Sequence, residues 1–313
     1  MRMHKLHLES GPATLIPLVH VPLLKDAPRS EGEYKAIPDS MGDLCHFYGD
    51  FSGYHIYLIA STYRKRIVEE SVNYYDKAHG RFSLALSVIT DDGKSETIQV
   101  DECIAPLQQL IGGRTHFPEH ISIEQFSPGT PDALKFHFPS SQPKFKFSNN
   151  LIPHIPESVR FSKSGLFDLR IEYIGKAVGK DGTREVADRL GNGHSTESQI
   201  LNEFVHKKTN RDAYAVLYKP GQLTDTNGKC LSFMSYPEIV DVFEKSLIGA
   251  FKPEKNIQSL NFPNDGSQAA GKLVGLGIDK LWIEAISPKD YGLLLTNEVS
   301  PERVHRFELR IRS

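Results

Sequence analysis

Cysteine is scarce in these 313 residues: Cys45, Cys103 and Cys230 are three in all and far apart. An odd, scattered set excludes a disulfide framework and a thiolate zinc site, and it fits a reducing compartment. Long apolar runs are missing too. No stretch approaches the ~20 apolar residues that cross a bilayer as a helix, so no membrane partner is expected. The opening MRMHKLHLES has no apolar core of signal-peptide length, and the expected location is the cytoplasm. Positive charge is not in excess: the net charge is −2, with 15 Lys/Arg against 18 Asp/Glu over residues 1–150. Bulk charge therefore gives no help to nucleic-acid binding, and any phosphate contact must come from a local cluster. Neither an internal repeat nor a low-complexity tract is present. The pairs His4/His7 and His116/His120 lack partners at metal-ligand spacing.

What remains is a chain long enough for two cores. Pro12, Pro17, Pro22 and Pro28 argue against a helix over the first thirty residues and favour an extended, edge-like path. Residues 44–62 read as strand, turn, strand. Ile67, Val68 and Val72 have helical spacing, with Gly80 as a stop. Residues 81–100 read as a hairpin turning at Asp92-Gly93. The alternating PKFKF at 143–147 reads as an edge strand rather than a nucleic-acid contact. The proline- and asparagine-rich segment 149–158 is the expected boundary. It divides a mostly β domain (1–155), with a target-recognition or regulatory role, from a second domain (156–313).

In the second half, residues 159–178 read as strand, turn, strand, with the turn around 162–165 and Leu169, Ile171 and Tyr173 on one face. A short helix follows, carrying Arg184, Arg189 and Leu190, and Gly191-Asn192-Gly193 breaks it. Thr196 to Gln199 is a capping-box pattern opening a further helix. Residues 212–220 form a strand. Ser235-Tyr-Pro-Glu238 is a second capping box, and Ile239, Phe243, Leu247 and Phe251 stripe the helix behind it at i, i+4. Glu244 sits at the rim of that stripe. Pro253 ends the helix and Asn256 lies just beyond. Short strands are expected around Trp282, Leu293 and in the terminal RVHRFELRIR.

Tyr173-Ile174-Gly175-Lys176-Ala177, then Arg189-Leu190, then His194, then Glu244-x2-Leu247-Ile248-x4-Pro253-x2-Asn256, stand in an order that resembles the GIY-YIG nuclease family over residues 160–260. The resemblance implies an α+β fold, a small antiparallel sheet flanked by helices in the C-terminal half. It implies a metal-dependent endonuclease. Glu244 would hold one Mg²⁺ (or Mn²⁺), and Arg189 would clamp the phosphate with its planar fork. Tyr173 would contact the water or the phosphate, and Lys176 or His194 would shift the local proton balance. Gly175 marks the strand motif and Asn256 would tie down the chain end. Arg184 is a rival to Arg189, being nearer the family's spacing from Tyr173. The family's first-strand tyrosine would fall at Gly165-Leu166-Phe167, where Phe167 stands instead. The long gap from Arg189 to Glu244 implies an insertion near 220–234.

Two functions from different classes follow. One is a nuclease on double-stranded DNA, with restriction or another defence role by analogy of architecture. The other is a non-catalytic module of the same fold that binds nucleic acid or protein, for which Phe167 in place of tyrosine is the argument. A homodimer, or a partner bound through the N-terminal domain, is compatible with both.

Overall fold

The computed structural model describes residues 3–10, 16–38, 44–48, 50–109, 115–125, 131–138, 145–147, 155–156, 158–179, 181–190, 199–200, 203, 210–225, 234–289 and 291–311. In chain order the strands are β1 (Met3–Ser10), β2 (Ile16–Pro17), β3 (Tyr34–Pro38), β4 (Leu44–Tyr48) and β5 (Ile56–Tyr63). Then come β6 (Lys65–Ile67), β7 (Asn73–Asp76), β8 (Arg81–Ile89), β9 (Ser95–Ile104), β10 (Gln108–Gln109), β11 (Thr115–His116), β12 (His120–Glu124), β13 (Ala133–His137) and β14 (Phe145–Phe147). The second half holds β15 (Leu169–Lys176), α1 (Val186–Leu190), β16 (Arg211–Asp225), α2 (Tyr236–Phe251), α3 (Gln268–Gly275), β17 (Lys280–Ile286), β18 (Leu294–Leu295) and β19 (Val304–Arg310).

One eight-stranded sheet organises this mixed α+β fold, in the order β18-β15-β5-β16-β1-β17-β19, with β2 added to β16. It is larger than the expected small sheet. It is also not wholly antiparallel, because β1 runs parallel to β17 and β15 parallel to β18. The expected division at 149–158 does not follow the sheet. Strands β1, β2 and β5 come from the first half and lie among β15 to β19. β1 is an interior strand, and Leu18–Asp26 is a 3-10 helix that accommodates Pro22, so the edge-like reading of the N-terminus is corrected.

Alternation along β5 sends its side chains to two cores. Ile56, Leu58 and Ala60 enter the core beneath α2 and α3, where Phe243, Leu247 and Phe251 are buried. Tyr57 and Ile59 enter the opposite core, which includes Leu18, Val21 and Leu24 of the 3-10 helix and Val186 and Leu190 of α1. Helices thus cover both faces, and each strand residue's parity decides its neighbours. The capping box at Ser235 is present, with the Ser235 N–H donating to Glu238 at 2.7 Å.

Between β5 and β15, adjacent and antiparallel in the sheet, residues 64–168 leave it and return. They carry strands β6 to β14 and a core of their own built on Phe82, Leu84, Val100, Leu134 and Phe136. The helix expected near 67–72 is instead a strand, a turn and a strand. Ile67 is buried and Arg66 exposed, so period 2 prevails there. The hairpin at 81–100 forms as expected, with Ile89 opposite Ser95.

β18 reaches only Leu169 and Arg170, so from Ile171 onward the outer edge of β15 has no neighbouring strand, and the Glu172 carbonyl there accepts from the Lys255 N–H at 3.2 Å. Asn256 covers that edge. Its Oδ1 accepts from the Ile174 N–H at 2.8 Å, and its Nδ2 donates to the Ile174 carbonyl at 2.9 Å. The side-chain amide therefore stands in for a neighbouring strand, and it ties the segment after α2 to β15. Asn256→Ala strands both buried backbone groups and is expected to cost roughly 1–3 kcal/mol in urea unfolding. Asn256→Asp sets a carboxylate oxygen against the Ile174 carbonyl and should cost at least as much; wild-type stability in Asn256→Ala would show that the paired contact is not what matters.

Candidate active site

The expected strand before Leu169 is absent. Residues 164–167 form a 3-10 turn, and Phe167 is fully buried in the core of the 64–168 segment, against Phe161 and Tyr291. It is not the partner of Tyr173. The strand that pairs with β15 is β5, and it sets Tyr57 opposite Gly175 and Ile59 opposite Tyr173. A bulge between Ile171 and Tyr173 inserts Glu172 into the pairing. Leu169 and Ile171 therefore face the α2 core, while Tyr173 packs on the other face, with Tyr57. The two rings lie 6.2 Å apart.

Gly175 makes that arrangement feasible. A Cβ placed on it would stand 2.5 Å from the Tyr57 hydroxyl oxygen and 2.9 Å from Cε1 of Tyr173. Any side chain would therefore displace the rings. Tyr57 is fully buried, and its hydroxyl interacts with Arg189 and with the Tyr173 hydroxyl. Burial, and then the neighbouring Tyr173, push its ionisation well above the usual phenol range, opposed by Arg189. Tyr173 is also raised, by burial first and by the charge of Glu244 second. Both are neutral phenols at neutral pH.

Arg189 is brought to this cluster by α1. The start of α1 is anchored to the loop before β5: Val186 N–H donates to the Tyr54 carbonyl at 2.9 Å, and Glu185 accepts from Gly53 N–H at 2.6 Å while pairing with Arg29. His55 lies with Nδ1 2.8 Å from the Ala177 carbonyl and 3.1 Å from that of Arg184, bridging the end of β15 to the approach to α1. The Arg184 side chain is exposed. Of the two rival arginines, Arg189 is the one whose charge is felt at Tyr57, Tyr173 and Glu244. His194 lies outside the described residues.

Across the open edge of β15, α2 contributes Glu244 and, one turn earlier, Asp241. Lys176 is bonded to both: its Nζ is 2.6 Å from Glu244 Oε2 and is hydrogen-bonded to Asp241 Oδ1. Lys245 Nζ takes the other Asp241 oxygen at 2.8 Å. Burial raises the Glu244 carboxyl, with Lys176 opposing; the net shift is upward. Burial would raise Asp241 as well, but the two ammonium groups win and hold it low. Burial would lower Lys176, yet the two carboxylates keep it raised, so it carries a full charge.

Sequence reasoning missed two members of this group, Tyr57 and Asp241. For Tyr57 a signal existed: Ile56-Tyr57 opens an alternating apolar run, but it lies over one hundred residues upstream of Tyr173. Asp241 could be read from its i, i+3 spacing to Glu244.

The donors suit a hard divalent cation with mostly water ligands. Glu244 offers carboxylate oxygen, Asp241 a second, and a cationic group, the Lys176 ammonium, already sits against both. Among the described residues no group of three or more His, Cys, Asp or Glu side chains gathers. Neither a family model, nor a curated protein, nor a solved structure matches the chain.

Gly175→Ala is expected to destabilise the fold by about 1–3 kcal/mol, the usual cost of overpacking. Gly271→Ala in α3, where an added Cβ meets nothing within 4 Å, should be neutral or stabilising by up to about 1 kcal/mol. Urea melts of the two variants compare them directly, and equal effects would mean the tyrosine rings do not press on Gly175.

Proposed function

We propose that this cluster cuts phosphodiester bonds and that the chain is a metal-dependent endonuclease acting on double-stranded DNA, built like the GIY-YIG nucleases it resembles. The observation that carries the reading is the buried Tyr57 hydroxyl, set over Gly175 and interacting with Tyr173 and Arg189, with Glu244 close enough for its charge to be felt. On this reading Ile56-Tyr57 on β5 is the first strand motif and Tyr173-Ile174-Gly175 the second. The 64–168 segment is then an insertion between them, with target recognition as its role.

Each residue has work that its chemistry suits. Arg189 forks onto the phosphate and stabilises the charge that builds on it. Tyr57 and Tyr173, as neutral phenols, hydrogen-bond the attacking water and the phosphate and fix their geometry. Glu244 would hold the divalent cation, which would supply neutralisation of the leaving oxygen. Lys176 adds a fixed positive charge at the same edge. Being kept protonated by its two carboxylates, it is a charge donor rather than a base. Asn256 holds β15 at Ile174, between Tyr173 and Gly175. No role is assigned to His194 or to Arg184. None of the helices among the described residues is long and apolar enough to cross a membrane.

Plasmid nicking with Mg²⁺ tests the proposal. Wild type should cut, and Glu244→Ala and Arg189→Ala should each lose about 10²-fold or more. Cutting that survives Glu244→Ala would sink the site assignment. A wild type that binds DNA or RNA and cuts neither would favour a non-catalytic binding module.

A further inference from the structure

Asp241 is the charged group at the site for which the nuclease reading has no assigned task. It lies three residues before Glu244, on the same side of α2, and both carboxylates meet one ammonium. Lys176 comes from β15, so the ion pairs cross from strand to helix. Its side chain is 27% exposed and that of Glu244 15%. A charge in that setting is stable only while paired. Asp241 is fixed from its other side by Lys245, at 2.8 Å across one helical turn. Two carboxylates and two ammonium groups leave the cluster neutral.

A divalent cation arriving at Glu244 meets a positive charge already lodged there. With Lys176 unmoved, the two cations would repel at short range in a half-buried setting. With Lys176 expelled and unpaired, a buried charge would be stranded. Asp241 removes both difficulties. It is already bonded to the same Nζ, so a small shift of the ammonium away from Glu244 leaves it still paired.

We propose that Lys176 is the resident counter-ion of the cation site and that Asp241 is a positioning residue, which takes over the ammonium when a divalent cation binds Glu244. The proposal rests on the reading of Glu244 as the cation's carboxylate. It assigns Asp241 a purpose other than direct ligation: to set how readily the cation exchanges with Lys176.

Mn²⁺ binding to the full chain, followed by calorimetry and by the loss of the free-ion electron paramagnetic resonance signal, provides the test. Lys176→Met should bind Mn²⁺ about tenfold more tightly, since nothing then competes for Glu244. Asp241→Asn should bind about tenfold more weakly, since Lys176 then leans on Glu244 alone. The double variant decides between parking place and ligand. If Asp241 acts through Lys176, the loss caused by Asp241→Asn is several-fold smaller in the Lys176→Met background than in wild type, leaving only the direct attraction of its charge for the ion. If the tenfold loss persists in that background, Asp241 is itself a ligand and the proposal is overturned. Unchanged affinity in Lys176→Met overturns it too. Lys176→Gln serves as a second charge-removing variant should methionine perturb folding. Glu244→Gln separates the two levels: wild-type Mn²⁺ affinity in that variant defeats the reading of the site itself, and this proposal falls with it.

Discussion

The antiparallel pairing of β5 with β15 is the contact on which the candidate site depends. It sets Tyr57 against Gly175, and the missing side chain of Gly175 admits two tyrosine rings to one spot. A bulge at Glu172 then turns Tyr173 to the same face as Tyr57. Without that extra residue, strand parity would carry Tyr173 into the α2 core with Leu169 and Ile171. Asn256 fixes the same strand from its open side, so β15 is held on both edges where it carries the site.

Around this pairing, the two faces of the sheet contribute different chemistry. The face covered by α1 supplies Arg189 and the phenols. The face covered by α2 supplies carboxylates, already compensated by Lys176 and Lys245. The parts meet because β18 is too short to close the edge of β15. Burial at this edge keeps both phenols protonated, and the local charge balance keeps Lys176 charged. A near-neutral chain, of overall charge −2, thus sets one arginine beside two buried phenols.

Local signals were legible where local physics decides. The Ser235 capping box, the apolar stripe of α2, the stop at Pro253 and the Asp92-Gly93 hairpin all depend on residues a few positions apart. Asn256 was legible as a tether, though not its target. The pairing of Tyr57 with Gly175 was not, because no local pattern reports which distant strand closes a sheet. Phe167 is the nearest aromatic at the tyrosine's expected place before Tyr173, but the strand beside β15 is β5, over one hundred residues upstream. The expected boundary at 149–158 does not follow the sheet for the same reason, since the excursion at 64–168 hides its continuity. The bulge that reorients Tyr173 was also invisible, because alternation assumes unbroken register.

The central claim is that strands on either side of this excursion form one catalytic centre, and Tyr57 is its most exposed commitment. Single-turnover cleavage of supercoiled plasmid with saturating Mg²⁺, comparing wild type with Tyr57→Phe, tests it most directly. The account predicts a loss of about 10²–10⁴-fold in rate with unchanged folding, while Tyr75→Phe on the exposed surface of the excursion cuts like wild type. Wild-type cleavage by Tyr57→Phe would contradict it.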